Sequence, residues 1–171
     1  MATIGIIMGS DSDLAIMMEA GDMLDKLGID YDYTVCSAHR LPFETQKYAT
    51  EASENGLKAI IAGAGGAAHL PGVIAAYTIL PVIGVPIKTS SLSGIDSLYS
   101  IVQMPKGIPV ATVGINGSAN AAILAAQILA VSDENVQAAL LRYRQEMAAG
   151  VLAKDAELKS IGAKKYLQNR Q

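Results

Sequence analysis

Short apolar runs alternate along this chain with segments of helical periodicity, and this alternation constrains the fold more than any other feature. Thr3 to Met8 is nearly continuous in apolar residues, as in a parallel strand that is buried on both faces. Apolar residues then recur at helical spacing from Leu14 to Leu24, and Gly28 provides a C-terminal stop. Repeated units of this kind predict an α/β protein with a parallel sheet.

The alternation continues to about residue 131. We expect further strands over Tyr31 to Val35, Leu57 to Ala62, Pro81 to Ile87 and Val110 to Val113, and helices over Phe43 to Asn55, Val73 to Thr78, Asp96 to Gln103 and Ser118 to Ala130. Five strands with intervening helices predict a three-layer, flavodoxin-like, doubly wound sheet in the order 2-1-3-4-5, with the second strand at an edge. An amphipathic helix after Asp133 and a partly helical tail from Val151 to Gln171 exceed what such a sheet needs.

The composition predicts a single domain over 1–171 that assembles with copies of itself. Only 17% of the residues are charged, against roughly 25% in a typical soluble domain, and 51% are apolar. The apolar stretches are broken well before the ~20 residues of a membrane span, so we exclude a membrane protein. We therefore expect a core over about 3–131 and C-terminal helices over about 133–168 that pack on neighbouring subunits.

Charge and cysteine content limit the partners and the compartment. The net charge is −3, the sequence has no basic block, and tryptophan is absent, so nucleic acid is not expected as a partner. Cys36 is the only cysteine, which rules out an intramolecular disulfide and fits a reducing compartment. Because the chain also starts without a basic leader segment, we expect a cytoplasmic protein.

The topology places a ligand site where the first three strands end. Doubly wound sheets bind ligands at the carboxyl ends of the strands on either side of the reversal in strand order. The loops concerned are Gly9–Asp13, Ser37–Leu41 and Gly63–Gly72. These loops are also the most polar or glycine-rich strand exits of the chain, so topology and composition indicate the same site.

Each loop has its own chemistry. In the first, backbone amides at a helix N-terminus and the hydroxyls of Ser10 and Ser12 suit a phosphate, although Ser12 is equally well explained as a helix cap. Asp13 suits ribose hydroxyls. In the second, His39 and Arg40 suit proton transfer and anion binding. The third contains three glycines and three alanines between residues 63 and 68 and allows close approach of a ligand; the following His69 is either a site residue or a structural one.

Four segments together resemble one enzyme family. Met8–Asp13, Ser37–Arg40, Gly63–Gly72 and Leu92–Pro105 are similar, in this order, to the class I 5-(carboxyamino)imidazole ribonucleotide mutases of purine biosynthesis. The resemblance covers about residues 4–131. It implies a carboxyl shift from an exocyclic nitrogen to ring carbon 4, without a metal or an organic cofactor, in octamers of flavodoxin-like subunits.

The resemblance also implies roles for residues. His39 would be the general acid and base, Ser10, Asp13 and Arg40 would bind the ribonucleotide, and the glycine-rich loop would hold the migrating carboxyl group. With the neighbouring loop positions included, the predicted substrate-binding residues are Ser10, Ser12, Asp13, Ser37, Arg40, Gly65, Gly66, Ala67, His69 and Leu70.

The chain departs from the family pattern at two places. Leu41 stands where the family often has threonine, which removes a possible helix cap, and Ile115 to Asn120 is only partly familiar and receives no role. Lys88 is a weaker site candidate than the residues of the three loops.

Three competing functions stay open beside the mutase. The first is a related carboxylase that uses free carbon dioxide; such enzymes typically carry lysine at the position of Arg40, so Arg40 favours a mutase. The second is a non-catalytic flavodoxin-like module that binds a mononucleotide such as flavin. The third is a structural assembly protein, which would explain the apolar composition.

Overall fold

A computed structural model of the chain describes residues 3–170 and contains one five-stranded sheet. All strands are parallel and their order is β2-β1-β3-β4-β5, as the sequence predicts. The strands are β1 (Ile4–Met8), β2 (Tyr31–Val35), β3 (Ala59–Gly65), β4 (Val82–Ile87) and β5 (Ala111–Thr112). The expected domain bounds also include Met1, Ala2 and Gln171, which lie outside the described residues.

Helices cover both faces of the sheet and produce two hydrophobic cores. They are α1 (Leu14–Leu27), α2 (Pro42–Glu51), α3 (Leu70–Tyr77), α4 (Ile95–Val102), α5 (Ser118–Leu129), α6 (Glu134–Ile161) and α7 (Ala163–Gln168). Residues of α1, α5 and α6 pack on one face of the sheet, and residues of α2, α3 and α4 pack on the other. The three-layer, flavodoxin-like architecture is therefore confirmed.

Burial along the strands follows their place in the sheet. Every residue of the central strands β1 and β4 is buried, whereas the edge strand β2 has no buried residue. Continuous apolar runs form the centre because both of their faces meet helices, and a mixed sequence suffices at the edge. Pro42 occupies the first turn of α2, where its fixed φ angle suits a helix start.

The third strand and the helix after it have different bounds from those predicted. β3 continues to Gly65 and pairs with β4 up to Ile87, and α3 already begins at Leu70. The two glycines and the alanine of residues 63–65 suggest a loop in the sequence. In the structure their backbone is extended and pairs with β4. The wall formed by this loop is therefore short: only residues 66–69 separate strand from helix.

The C-terminal segment contains one long helix. The Asp133 side chain caps α6 by accepting from the amides of Asn135 and Val136, and the helix then runs for 28 residues. Only its first half contributes buried residues, and the 151–160 segment is exposed throughout. In the described part of the chain no helix combines the length and the apolar character needed to cross a membrane.

Candidate active site

The carboxyl ends of the first four strands surround one pocket. Its volume is about 570 Å³, large enough for a mononucleotide-sized ligand. All predicted catalytic and substrate-binding residues line it: Ser10, Ser12, Asp13, Ser37, His39, Arg40, Gly65, Gly66, Ala67, His69 and Leu70. The roles of these residues remain predictions, but their convergence at one place is a property of the fold.

The first loop is ordered by its own serines. The Ser10 hydroxyl oxygen accepts from the backbone amide of Ser12 at 3.3 Å and from the Ser12 hydroxyl at 2.9 Å, which caps the 3-10 turn Asp11–Asp13. Capping is therefore the work of Ser10 and not of Ser12. The Ser12 hydroxyl remains at the pocket as a further polar contact.

Asp13, the last residue of the 3-10 turn and the N-cap of α1, is half-buried. Burial raises the pKa of its carboxyl group, while hydrogen bonds from the Ser12 hydroxyl and the loop backbone oppose that rise. A partly desolvated carboxylate is stabilised further when a ligand supplies additional donors. Ribose hydroxyls are donors of this kind.

The second loop brings a cation to the first. The Arg40 guanidinium donates from Nη2 to the carbonyl oxygen of Gly9 at 3.2 Å, so the ends of β2 and β1 are joined at the pocket. The side chain is exposed, and its remaining N–H groups suit an anion. Leu41 is the N-cap of α2, and its apolar side chain makes no capping hydrogen bond. A threonine, which the family often has here, could cap the helix with its hydroxyl.

The two histidines of the chain contact each other in the pocket. His39 Nε2 lies 2.8 Å from His69 Nδ1, and the rings meet edge to face with centroids 4.9 Å apart. A hydrogen bond at this distance requires one proton between the two nitrogens, so one ring donates and the other accepts. His69 therefore lines the pocket in contact with His39, whereas its sequence context slightly favours a structural role.

The third loop supplies a wall of small residues. Gly66 has a φ angle of +68°, a left-handed conformation that glycine adopts without steric cost. Gly65 and Ala67 beside it are exposed to the pocket, whereas Leu70 is only 3% exposed and anchors the start of α3 in the core. A ligand can therefore approach the backbone closely.

Sequence reasoning missed the contribution of β4. Ile87, Lys88 and Thr89 at its exit also line the pocket. The order 2-1-3-4-5 puts β4 beside β3, and this signal could have identified them. The sequence makes Lys88 only a weak candidate, yet it adds a second basic side chain to the lining. Among residues 3–170, no cluster of three or more His, Cys, Asp or Glu side chains could hold a metal ion.

A parallel sheet in this order, with a polar pocket at its reversal point, defines a flavodoxin-like protein that binds a small ligand at the strand ends. The chain belongs to the AIR carboxylase family, whose sequence model matches residues 3–150.

Its relatives carry two names. The N5-carboxyaminoimidazole ribonucleotide mutase of Thermotoga maritima is 54% identical over the full length of both chains. The phosphoribosylaminoimidazole carboxylase of Saccharomyces cerevisiae is 52% identical over 167 residues, which are 98% of this chain and 29% of the yeast protein. Among solved structures, Treponema denticola PurE has a TM-score of 0.85 at 28% identity and covers 93% of this chain and 99% of its own.

Proposed function

We propose that this chain is an isomerase of purine biosynthesis that converts 5-carboxyamino-1-(5-phosphoribosyl)imidazole to 5-amino-1-(5-phosphoribosyl)imidazole-4-carboxylate. The full-length identity to the Thermotoga maritima mutase supports this assignment. The observation that carries it is the pocket itself, in which an imidazole, an arginine and a glycine-rich wall meet.

The ribonucleotide is held by the first two loops. Arg40 and the hydroxyls of Ser10 and Ser12 bind the phosphate, and Asp13 accepts from the ribose hydroxyls. Ser37 also lines the pocket and is assigned a further contact to the ribonucleotide. Anchoring the nucleotide at its phosphate end fixes the heterocycle relative to His39, so that the binding energy serves to orient the reacting atoms.

The chemistry needs one proton donor that becomes a proton acceptor. His39 protonates the exocyclic nitrogen, the bond from that nitrogen to the carboxyl carbon breaks, and carbon dioxide is released with the bonding pair left on nitrogen. Ring carbon 4 then attacks carbon dioxide, and a base removes the proton that this carbon still bears. A single imidazole can serve both steps because it is a base again once it has given its proton.

His69, which contacts His39, limits which ring nitrogen of His39 can carry the proton. Because the His69 ring contacts Nε2 of His39 at 2.8 Å, the tautomer of one ring dictates that of the other. We assign His69 a positioning role toward His39, and Gly65, Gly66 and Ala67 the role of enclosing carbon dioxide between the two steps. An enclosed site retains the intermediate against loss to solvent.

The near alternative is a carboxylase that uses the same pocket and free carbon dioxide. Substrate choice separates the two: a mutase forms product from the carbamate, whereas a carboxylase forms it from aminoimidazole ribonucleotide and bicarbonate. We expect rapid product formation from the carbamate and little from the second mixture. Efficient turnover of the second mixture with none of the first would reverse the assignment.

The two non-catalytic functions are less well supported. A flavin module typically sandwiches its ring between aromatic side chains, and the described residues that line this pocket include no Trp, Tyr or Phe. The flavin alternative also predicts that the purified protein is yellow, and an absorption spectrum tests this. A purely structural assembly protein leaves the His39–His69 pair and Arg40 without a task.

We further propose a cytoplasmic homo-octamer. The low charge content and the exposed apolar side chains of α6 support burial of this helix against neighbouring subunits. The single, buried cysteine, Cys36, fits a reducing compartment.

A further inference from the structure

A buried serine of α4 joins the pocket wall to the neighbouring strand. Ser97 is fully buried, and its hydroxyl oxygen accepts from the backbone amide of Gly66 at 2.9 Å. The same hydroxyl donates to the carbonyl oxygen of Ile87 at 2.7 Å. The exits of β3 and β4 are therefore connected through one side chain that lies outside the pocket.

A second serine holds the other side of the same glycine. Ser100, nearly one helical turn further on, shares its one hydroxyl hydrogen between the carbonyl oxygens of Asp96 at 2.8 Å and Gly66 at 3.3 Å. The backbone amide of Ala68 also donates to the Gly66 oxygen, at 2.8 Å. Both peptide groups that flank Gly66 are thus bonded to α4. These bonds maintain the left-handed backbone of Gly66, which an unrestrained glycine exchanges readily for other conformations.

The rest of this segment also acts on the pocket walls. The Asp96 carboxylate accepts from the Thr89 hydroxyl at 3.0 and 3.2 Å, and Thr89 lines the pocket at the exit of β4. Met104 packs against Gly72 in α3, where an added Cβ would lie 2.9 Å from its sulfur. The segment Leu92–Pro105, one of the four that resemble the mutase family, therefore contacts the pocket walls from the side that faces away from the ligand.

The peptide group between Gly66 and Ala67 lies between α4 and the space that a ligand would occupy. A trans peptide directs its C=O and N–H to opposite sides. Because the Gly66 carbonyl is directed at Ser100, the Ala67 amide is directed away from α4. That amide donates to no acceptor among residues 3–170, and Ala67 lines the pocket, so the amide is available to an oxygen of the ligand.

We propose that Ser97 and Ser100 are positioning residues that fix the Gly65–Ala67 wall and its Ala67 amide, and thereby retain carbon dioxide between its release and its recapture. The inference rests on the proposed mutase function. Its specific consequence is that loss of either hydroxyl lets carbon dioxide escape from the pocket before carbon 4 is carboxylated.

The test measures how often the carboxyl group stays in the site. Carbamate substrate with a ¹³C-labelled carboxyl group is converted in unlabelled bicarbonate, and the label in the product is compared with the aminoimidazole ribonucleotide formed, after subtraction of the enzyme-free reaction. Wild type should retain most of the label. Ser97→Ala should lose several-fold more label per product and lower kcat roughly tenfold to a hundredfold. Ser100→Ala should change both in the same direction, but less.

Two variants separate positioning from a general loss of structure. Ser118→Ala is the matched control, because Ser118 is also fully buried, its hydroxyl donates to the Ile16 carbonyl oxygen, and neither of these two residues lines the pocket. It should lower stability and leave label retention at the wild-type value. Ser100→Thr keeps the hydroxyl and should restore retention. If Ser97→Ala does not fold, Ser100→Ala carries the test, since Ser100 is only half-buried.

Label retention is a ratio per turnover, so it does not depend on how much enzyme is folded. Wild-type retention in both alanine variants would overturn the positioning role while the mutase function stands. Equal loss of label in Ser118→Ala would overturn it too. Failure of wild type to convert the carbamate at all would instead refute the function on which the inference rests.

Discussion

The His39 ring is the residue on which the proposed proton transfers depend. We predict that His39→Asn abolishes turnover, because an amide cannot exchange a proton near neutral pH, while affinity for the ribonucleotide survives at the first loop and Arg40. Steady-state kinetics and calorimetric titration measure the two effects. His69→Asn is the comparison: it should lower kcat less, since His69 acts through His39. Near-normal turnover of His39→Asn would refute the assignment.

Arg40 is predicted to act mainly through binding. Arg40→Lys keeps the positive charge but loses the planar fork of donors that fits a phosphate and also reaches Gly9. We expect KM to rise more than kcat falls, because a contact made equally in the ground state and the transition state changes binding alone. Initial rates over a range of substrate concentrations separate the two. A large loss of kcat at unchanged KM would assign Arg40 to the chemical step.

Asp13 should cost the free protein stability at neutral pH. Burial raises its pKa above the ordinary value of 3.8, so the stability that this group contributes is complete below that value and is lost as the pH rises through the raised pKa. We predict that Asp13→Asn melts at a higher temperature than wild type at about pH 7. The difference should shrink as the pH falls toward 4, and an increase toward acid pH would contradict the sign.

At the scale of secondary structure, the exposed apolar side chains of α6 are the basis for the proposed assembly. Leu152 is 69% exposed in the chain by itself. Leu152→Glu should therefore change the stability of an isolated subunit by less than about 0.5 kcal/mol, yet dissociate an assembly that buries this position. Light scattering after size exclusion measures the mass. Lys154→Glu, about 200° around the helix, is the control that should stay assembled. An unchanged mass for Leu152→Glu would remove α6 from the interface.

Secondary structure was predictable from the sequence where patterns were strong. The buried strands β1 and β4 and the edge strand β2 follow from their residue types, and α2 begins at Pro42, one residue before its predicted start at Phe43. The boundary between β3 and α3 did not follow, because glycine and alanine are compatible with strand, loop and helix, and pairing with β4 decides among them. The hydrogen bonds of Ser97 to Gly66 and Ile87 could not be predicted either, since a buried helical serine cannot be told from an exposed one without the fold.

At the scale of the whole molecule, topology predicted the position of the pocket better than any single motif. The strand order alone places the exits of β1, β2 and β3 together, and the structure brings every predicted site residue to one pocket. The distance between His39 and His69 could not be predicted, because it depends on how two separate loops fold. Lys88 and Thr89 differ in this respect, because the predicted strand order already puts β4 beside β3 and so brings the exit of β4 to the pocket.

A structure with the 4-carboxylate ribonucleotide bound tests the central claim most directly. We predict that the phosphate lies at Arg40 and the carboxylate against Gly65–Ala67. Ring carbon 4 should lie within about 3.5 Å of the His39 imidazole, a distance at which reacting groups meet. A heterocycle that lies outside this pocket, with His39 facing only His69 and solvent, would contradict it.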